Sequence, residues 1–124
     1  MMEQFAYFNL NPQKQQEEDC VCRAISLGCG LPYEATKNLL NLMADYYECD
    51  TLCVCCYHHL LENIFGYDVV YCANGECVRD IASLYKNGTV IIRVNGHLTC
   101  AVRGVVYDIW DCTGETVDCY WIVK

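Results

Sequence analysis

Near residue 89 the hydrophobic pattern of this chain changes period. Up to about residue 85 the apolar side chains recur at the three- and four-residue spacing of helices, and from Thr89 onward they run in β-branched segments separated by turn residues. A chain written in that order must bury helical stripes against a sheet that comes late, which is the α+β arrangement. With 124 residues, 54% of them hydrophobic, it has the size and apolar content of a single domain, 1–124, with one core. No internal repeat or interdomain linker interrupts it.

The first residues mix aromatic and polar types and end in QKQQEED, so 1–18 is expected to form an N-terminal arm or surface loop. Asp19 then precedes CVCRAISLGCG, a segment whose spacing predicts a helix of about ten residues beginning at or next to Cys20, with Gly28 and Gly30 as its stop. Pro32 suits the first turn of a second helix reaching about Tyr47. Asp50 or Thr51 can cap a third helix through VCCYHHLLENIF to Gly66. YDVVYC reads as a short strand, and a fourth helix is predicted over about 76–85, ended by Asn87-Gly88. TVIIRV, HLTCAV, VVYDIW and VDCYWIV then supply the strands of an antiparallel sheet, with Arg103-Gly104 as a hairpin connection.

Charge and cysteine usage narrow the setting. Sixteen acidic residues against eight basic ones give a formal charge of -8, which repels phosphate backbones and argues against nucleic acid as a partner. The N-terminus has neither a basic n-region nor a continuous apolar h-region, and no stretch has the roughly 20 apolar residues of a membrane span. A soluble cytoplasmic protein with no membrane contact is therefore expected. In that setting the twelve cysteines read mainly as reduced packing residues, since a buried thiol behaves as a small hydrophobe.

Cys20 stands apart from the others. A thiol at a helix N-terminus is acidified by the unpaired N–H groups and the helix dipole. As a nucleophile it then needs an imidazole within reach, and the imidazole needs a partner to fix its tautomer. His97 follows Asn95-Gly96 and opens a strand, where a side chain faces the end of a sheet. If Arg103 and Gly104 form the turn, Val102 faces Val105, and the register places His97 opposite Trp110 and Thr99 opposite Asp108. These four residues share one face, and Asp108 lies diagonal to His97 at roughly 7–8 Å, a gap that two side chains can bridge. Asp111 points to the other face in a regular ladder, and is the runner-up because a bulge would reverse the choice.

A Cys opening a helix, a distant His opening a strand, and an Asn or Asp on the returning strand before a Trp, here YDIW, resemble the order of papain-like cysteine peptidases. More narrowly, NP followed by DCVCRAIS, and then TVIIRVNGHLTCAVRGVVYDIWDC, is similar to a group of small phage and bacterial proteins of papain-like fold. The similarity runs from about residue 11 to the C-terminus. It implies a papain-like fold in which the Cys helix packs on the C-terminal sheet, and a thiol hydrolase, a cysteine peptidase or amidase, with a Cys20–His97–Asp108 triad and no cofactor or metal. It also implies an oxyanion site made by the Cys20 N–H and a Gln five or six residues upstream. Lys14 occupies one such position, so Gln15 is taken, with Gln13 and Gln16 nearby. Asp19 and Trp110 are placed at the substrate cleft. The implied partner is a protein or peptide substrate, including a host protein if the chain is phage-encoded.

Other readings stand beside this one. The same fold can carry a transferase or deamidase reaction, or, with its triad idle, serve as a binding module that inhibits a host defence factor. Cys53 and Cys56, with His58 and His59 following, have the spacing of a zinc half-site that Cys49, Cys72 or Cys77 can complete, although the segment also reads as an apolar helix. Arg23, one turn into the first helix, is expected to be structural, paired with Glu18 or Asp19.

Overall fold

A computed structural model describes residues 4–12 and 19–124. Its centre is a six-stranded sheet in the order β1-β5-β4-β3-β6-β2, built from β1 (Phe5–Tyr7), β2 (Asp68–Tyr71), β3 (Thr89–Val94), β4 (His97–Val102), β5 (Val105–Asp108) and β6 (Val117–Ile122). Four helices accompany it: α1 (Cys20–Cys29), α2 (Tyr33–Tyr47), α3 (Val54–His58) and α4 (Val78–Leu84). The chain is therefore α+β, as its change of period requires. None of the described helices is long and apolar enough to cross a membrane.

Strand alternation divides the interior into two clusters rather than the single core expected. Ile91, Leu98, Cys100, Cys119 and Trp121 pack with Ile25, Leu40, Leu60 and Leu61 from the first three helices. Val90, Ile92, Val94, Ala101 and Val106 point the other way and bury Val78, Ile81 and Ala82 of α4. Because TVIIRV is apolar on both faces, it serves as a central strand covered on both sides.

Local chemistry sets the ends of the elements. Gly30 terminates α1 in the left-handed region (φ 67°) and returns its N–H to Ser26 O. Gly28, expected to share in that stop, instead lies within the helix. A Cβ there would come within 2.7 Å of Ile91 Cγ1 and 3.3 Å of Cys100 Sγ, so the glycine sets how closely α1 can approach β3 and β4. The third helix starts later than expected: Asp50 Oδ1 accepts from Leu52 N–H in a preceding turn, and Cys53 takes the cap position. Beyond His58 the helix widens into a π-helical turn, His59–Ile64. The β4–β5 hairpin has the expected register, with Val102 paired to Val105, and both Arg103 and Gly104 have positive φ (52° and 83°), as a two-residue turn requires.

The N-terminal segment departs from the surface arm expected of 1–18. Residues 5–7 form the edge strand β1, which runs parallel to β5 with Tyr7 opposite Asp108, so the sheet is mixed rather than purely antiparallel. Val106 N–H donates to Gln4 O at 2.7 Å and Phe8 N–H to Asp108 O at 2.9 Å. Three residues are too few to show alternation, and their partner lies at the far end of the chain.

The close approach at Gly28 yields a test. Gly→Ala inside a helix normally gains up to ~1 kcal/mol. Here the Ile91 side chain is fully buried, and crowding of roughly 1–3 kcal/mol should outweigh that gain. Gly28→Ala is expected to lower the urea midpoint of unfolding; a raised midpoint would show that α1 has room to spare.

Candidate active site

Where α1 begins, the ends of β4 and β5 meet it. Cys20, at the first turn of α1, is half-buried. Its thiol stands beside His97 and Leu98 in the wall of one cavity, near enough for both to favour its charged form. His97 opens β4 directly after the Asn95-Gly96 turn, where Gly96 has φ 72°. Its Nε2 lies 2.7 Å from Asp108 Oδ2, which leaves Nδ1 as the ring nitrogen free to face the thiol. The structure thus brings Cys20, His97 and Asp108 together. Asp111 stays outside, exposed, with its Oδ1 taken by the Thr113 N–H (3.0 Å) and hydroxyl (2.6 Å).

Asp108 meets His97 because β5 ends there. The Ile109 N–H turns back onto Asp108 Oδ1 at 2.7 Å, so the chain leaves the ladder immediately after this residue. Trp110 consequently lies beyond the strand rather than opposite His97 in it, yet its ring still stands 5.1 Å from the imidazole.

The carboxylate of Asp108 is 2% exposed and has a second cation on it. Arg23 donates Nη1 to Asp108 Oδ1 (3.0 Å) and Nε to Asp19 Oδ1 (2.7 Å). Asp19 is therefore the partner expected for Arg23, but the link to Asp108 is new, and Glu18 lies outside the described residues. Asp19 Oδ2 also accepts from Tyr33 OH (2.8 Å) and Asn11 Nδ2 (3.0 Å). Its side chain makes no cap hydrogen bond to α1. Charges alternate along this line: Asp19 negative, Arg23 positive, Asp108 negative, His97 positive.

Protonation follows from these contacts. Burial works against a charged Cys20, but the His97 and Leu98 hydrogen bonds and the positive charge of His97 and Arg23 prevail, so the thiol falls below its ordinary 9.0. Burial also opposes the imidazolium, yet hydrogen bonds to Asp108, Cys112 and Cys20 and the charge of Asp108 push His97 up to about 11. Asp108, likewise opposed by burial, is held below the usual carboxylate range chiefly by His97. The proton of the pair accordingly resides on His97. Burial raises most of the other perturbed thiols, with Cys22 and Cys119 reaching about 11. Cys53 alone joins Cys20 in being lowered, by its hydrogen bond with Cys55 at 3.2 Å.

A cavity of about 440 Å³ opens over the thiol, walled by Cys20, His97, Trp110, Tyr57, Arg93 and Leu52 among others. Trp110 stands at this cleft as expected. Asp19 does not: it borders a separate cavity of about 180 Å³ with Tyr33 and Lys37, its carboxylate turned to Arg23. Of the expected oxyanion donors, the Cys20 N–H lies in the open first turn of α1, and Gln15 lies outside the described residues.

Cys112 was not singled out by sequence. Fully buried, it lies beside His97 and points Sγ at Asp108 Oδ2 (3.8 Å). Donor atoms of His97, Asp108 and Cys112 lie within 4.8 Å of one another. A cation there would have to break the His97–Asp108 bond and sit beside the Arg23 guanidinium, so the set suits a hydrogen-bonded cluster better than a metal. The zinc half-site is not assembled: Cys56 Sγ points to Leu40 O, Cys53 faces Cys55, His58 pairs with Glu62, and His59 stacks on Tyr47. Cys72 and Cys77 lie beside Glu76 and Asp80 instead. No family model, curated protein or solved structure matches the chain.

Asp108→Asn leaves two buried cations short of a counter-charge and is expected to cost roughly 3–5 kcal/mol at neutral pH. Since the folded pKa of Asp108 is depressed, its contribution is complete above the ordinary carboxylate pKa and is lost as pH falls through the folded value. Urea unfolding of both proteins should therefore converge in acid. The same change at exposed Asp111 should stay within about 0.5 kcal/mol; equal losses at the two sites would remove Asp108 from its central place.

Proposed function

We propose that the protein is a papain-like thiol hydrolase that cleaves an amide or peptide bond with Cys20 as nucleophile. The observation that carries this reading is the position of His97, which shares a cavity wall with the Cys20 thiol and favours its charged form on one side, and is hydrogen-bonded to the buried Asp108 carboxylate on the other. Order along the chain, the thiol on a helix start and a cleft over it are the further features that the papain-like resemblance calls for.

In this mechanism the Cys20 thiolate attacks the substrate carbonyl carbon. The S–C bond forms as the carbonyl pair moves onto oxygen, where the Cys20 backbone N–H stabilises it. His97 delivers its proton to the departing nitrogen as the C–N bond breaks, leaving an acyl thioester. It then takes a proton from water; the hydroxyl adds to the thioester carbonyl and the thiolate leaves. Asp108 holds the imidazole in orientation through both steps and stabilises its cation. Cys112 and Arg23 act on Asp108 and His97, not on substrate.

Alkylation by iodoacetamide, read cysteine by cysteine with mass spectrometry, tests the nucleophile. Cys20 should react fastest near neutral pH, on a profile that rises through a pKa below 9.0. In His97→Ala the largest influence left is burial, so that inflection should move above the ordinary value. Cys53 serves as the internal comparison, because its acidity depends on Cys55 and should ignore His97→Ala. If Cys20 is no faster than the buried thiols, or if the His97 variant leaves its profile in place, the proposal fails.

A further inference from the structure

The cavity over Cys20 contradicts the charge of the molecule around it. Acidic residues outnumber basic ones two to one in the chain, yet the cavity is lined by Arg23, Arg93 and His97 and by no carboxylate side chain. Arg23 is committed to Asp19 and Asp108, and His97 to Asp108 and Cys20. Arg93 is not so occupied. It extends from β3, donates Nε to Tyr57 OH (3.1 Å) and Nη1 to Asp118 Oδ2 (3.0 Å), and has no acceptor for Nη2 among the described residues. Tyr57 is buried against the Trp121 ring, so the guanidinium is held in place from the core side. The Asp118 side chain is 46% exposed, and an ion pair open to water holds only weakly.

We infer that Arg93 forms a carboxylate-binding subsite beside Cys20, so that the substrate of this thiol carries a carboxylate close to the bond cleaved. A planar guanidinium fork recognises a carboxylate through paired N–H donors, and a low-dielectric wall such as Trp110, Ile109 and Leu52 strengthens that contact. The inference rests on the thiol-hydrolase reading and adds its substrate class. The carboxylate belongs either to a chain terminus or to an acidic side chain, and the two are separable.

Four alkylating reagents make the test: iodoacetyl-glycine with iodoacetyl-glycinamide, and iodoacetyl-glutamic acid α-amide with iodoacetyl-glutamine α-amide. Each transfers its acyl-methylene to sulfur with loss of iodide. At Cys20 the carboxylate of one pair should outrun its carboxamide roughly threefold or more at about 0.01 M ionic strength, a preference that shrinks toward one at about 1 M. At Cys77, which points at Asp80, the carboxylates should be the slower reagents. Arg93→Gln should reduce the Cys20 preference to one or below, whereas Asp118→Asn, which removes the competing negative charge, should increase it. A preference in the glycine pair assigns a chain-terminal carboxylate, and one in the glutamate pair an acidic side chain. Equal rates within both pairs, or a preference that Arg93→Gln leaves intact, overturn the subsite. Should Cys20 prove inert to all four, the thiol reading fails on its own. The subsite is then judged in Cys20→Ala by titrating the acetyl analogues against the Trp110 indole N–H resonance: a carboxylate-dependent shift lost in Arg93→Gln upholds it, and indifference to charge overturns it.

Discussion

Two buried cations converge on one carboxylate, and the organisation of the site depends on that sharing. Asp108 gives one oxygen to Arg23 and the other to His97. Alone at 2% exposure it would be driven to its neutral form, and each cation would be costly to bury without it. With a separate cation on each oxygen the carboxylate cannot rotate without breaking a charged hydrogen bond. The ring plane of His97 is thereby tied to α1, the helix that carries Cys20.

Arg23 gives this arrangement a particular electrostatic character. An isolated aspartate beside the imidazole would bind the proton of His97 strongly, while a neutral amide in its place would only orient the ring. Asp108 with Arg23 attached lies between these extremes, since the guanidinium offsets part of the negative charge that His97 feels. Asp19 keeps Arg23 from being an uncompensated buried cation, and Tyr33 and Asn11 complete the hydrogen bonds of Asp19. The line runs from α2, the element after α1, to the thiol, with each member satisfied by the next.

Much of this was legible in the sequence where periodicity or turn chemistry is strong. The ten residues of α1 and the span of α2 follow from amphipathic spacing, and the Arg103-Gly104 turn sets the hairpin register that selects Asp108 over Asp111. What stayed hidden depends on contacts that spacing does not encode. The Arg23–Asp108 bond joins residues 85 apart, and no local pattern distinguishes an arginine that pairs within its helix from one that also reaches a strand. Cys112 sits in no regular element and shows nothing until the chain folds back over Asp108. The papain-like resemblance puts Asp19 at the cleft, but its carboxylate is taken by Arg23 and Tyr33. The strand Phe5–Tyr7 is too short to carry a periodic signal.

That parallel pairing of β1 with β5 governs when the site can exist. Synthesis proceeds from the N-terminus, so the thiol and its helix are made early, while the histidine, the aspartate and the strand that β1 joins come from the last part of the chain. Until those strands dock, Cys20 has neither the imidazole nor the Leu98 N–H that acidify it, and behaves as an ordinary thiol. The acidity of this thiol is thus a property of the completed fold and not of the helix that carries it.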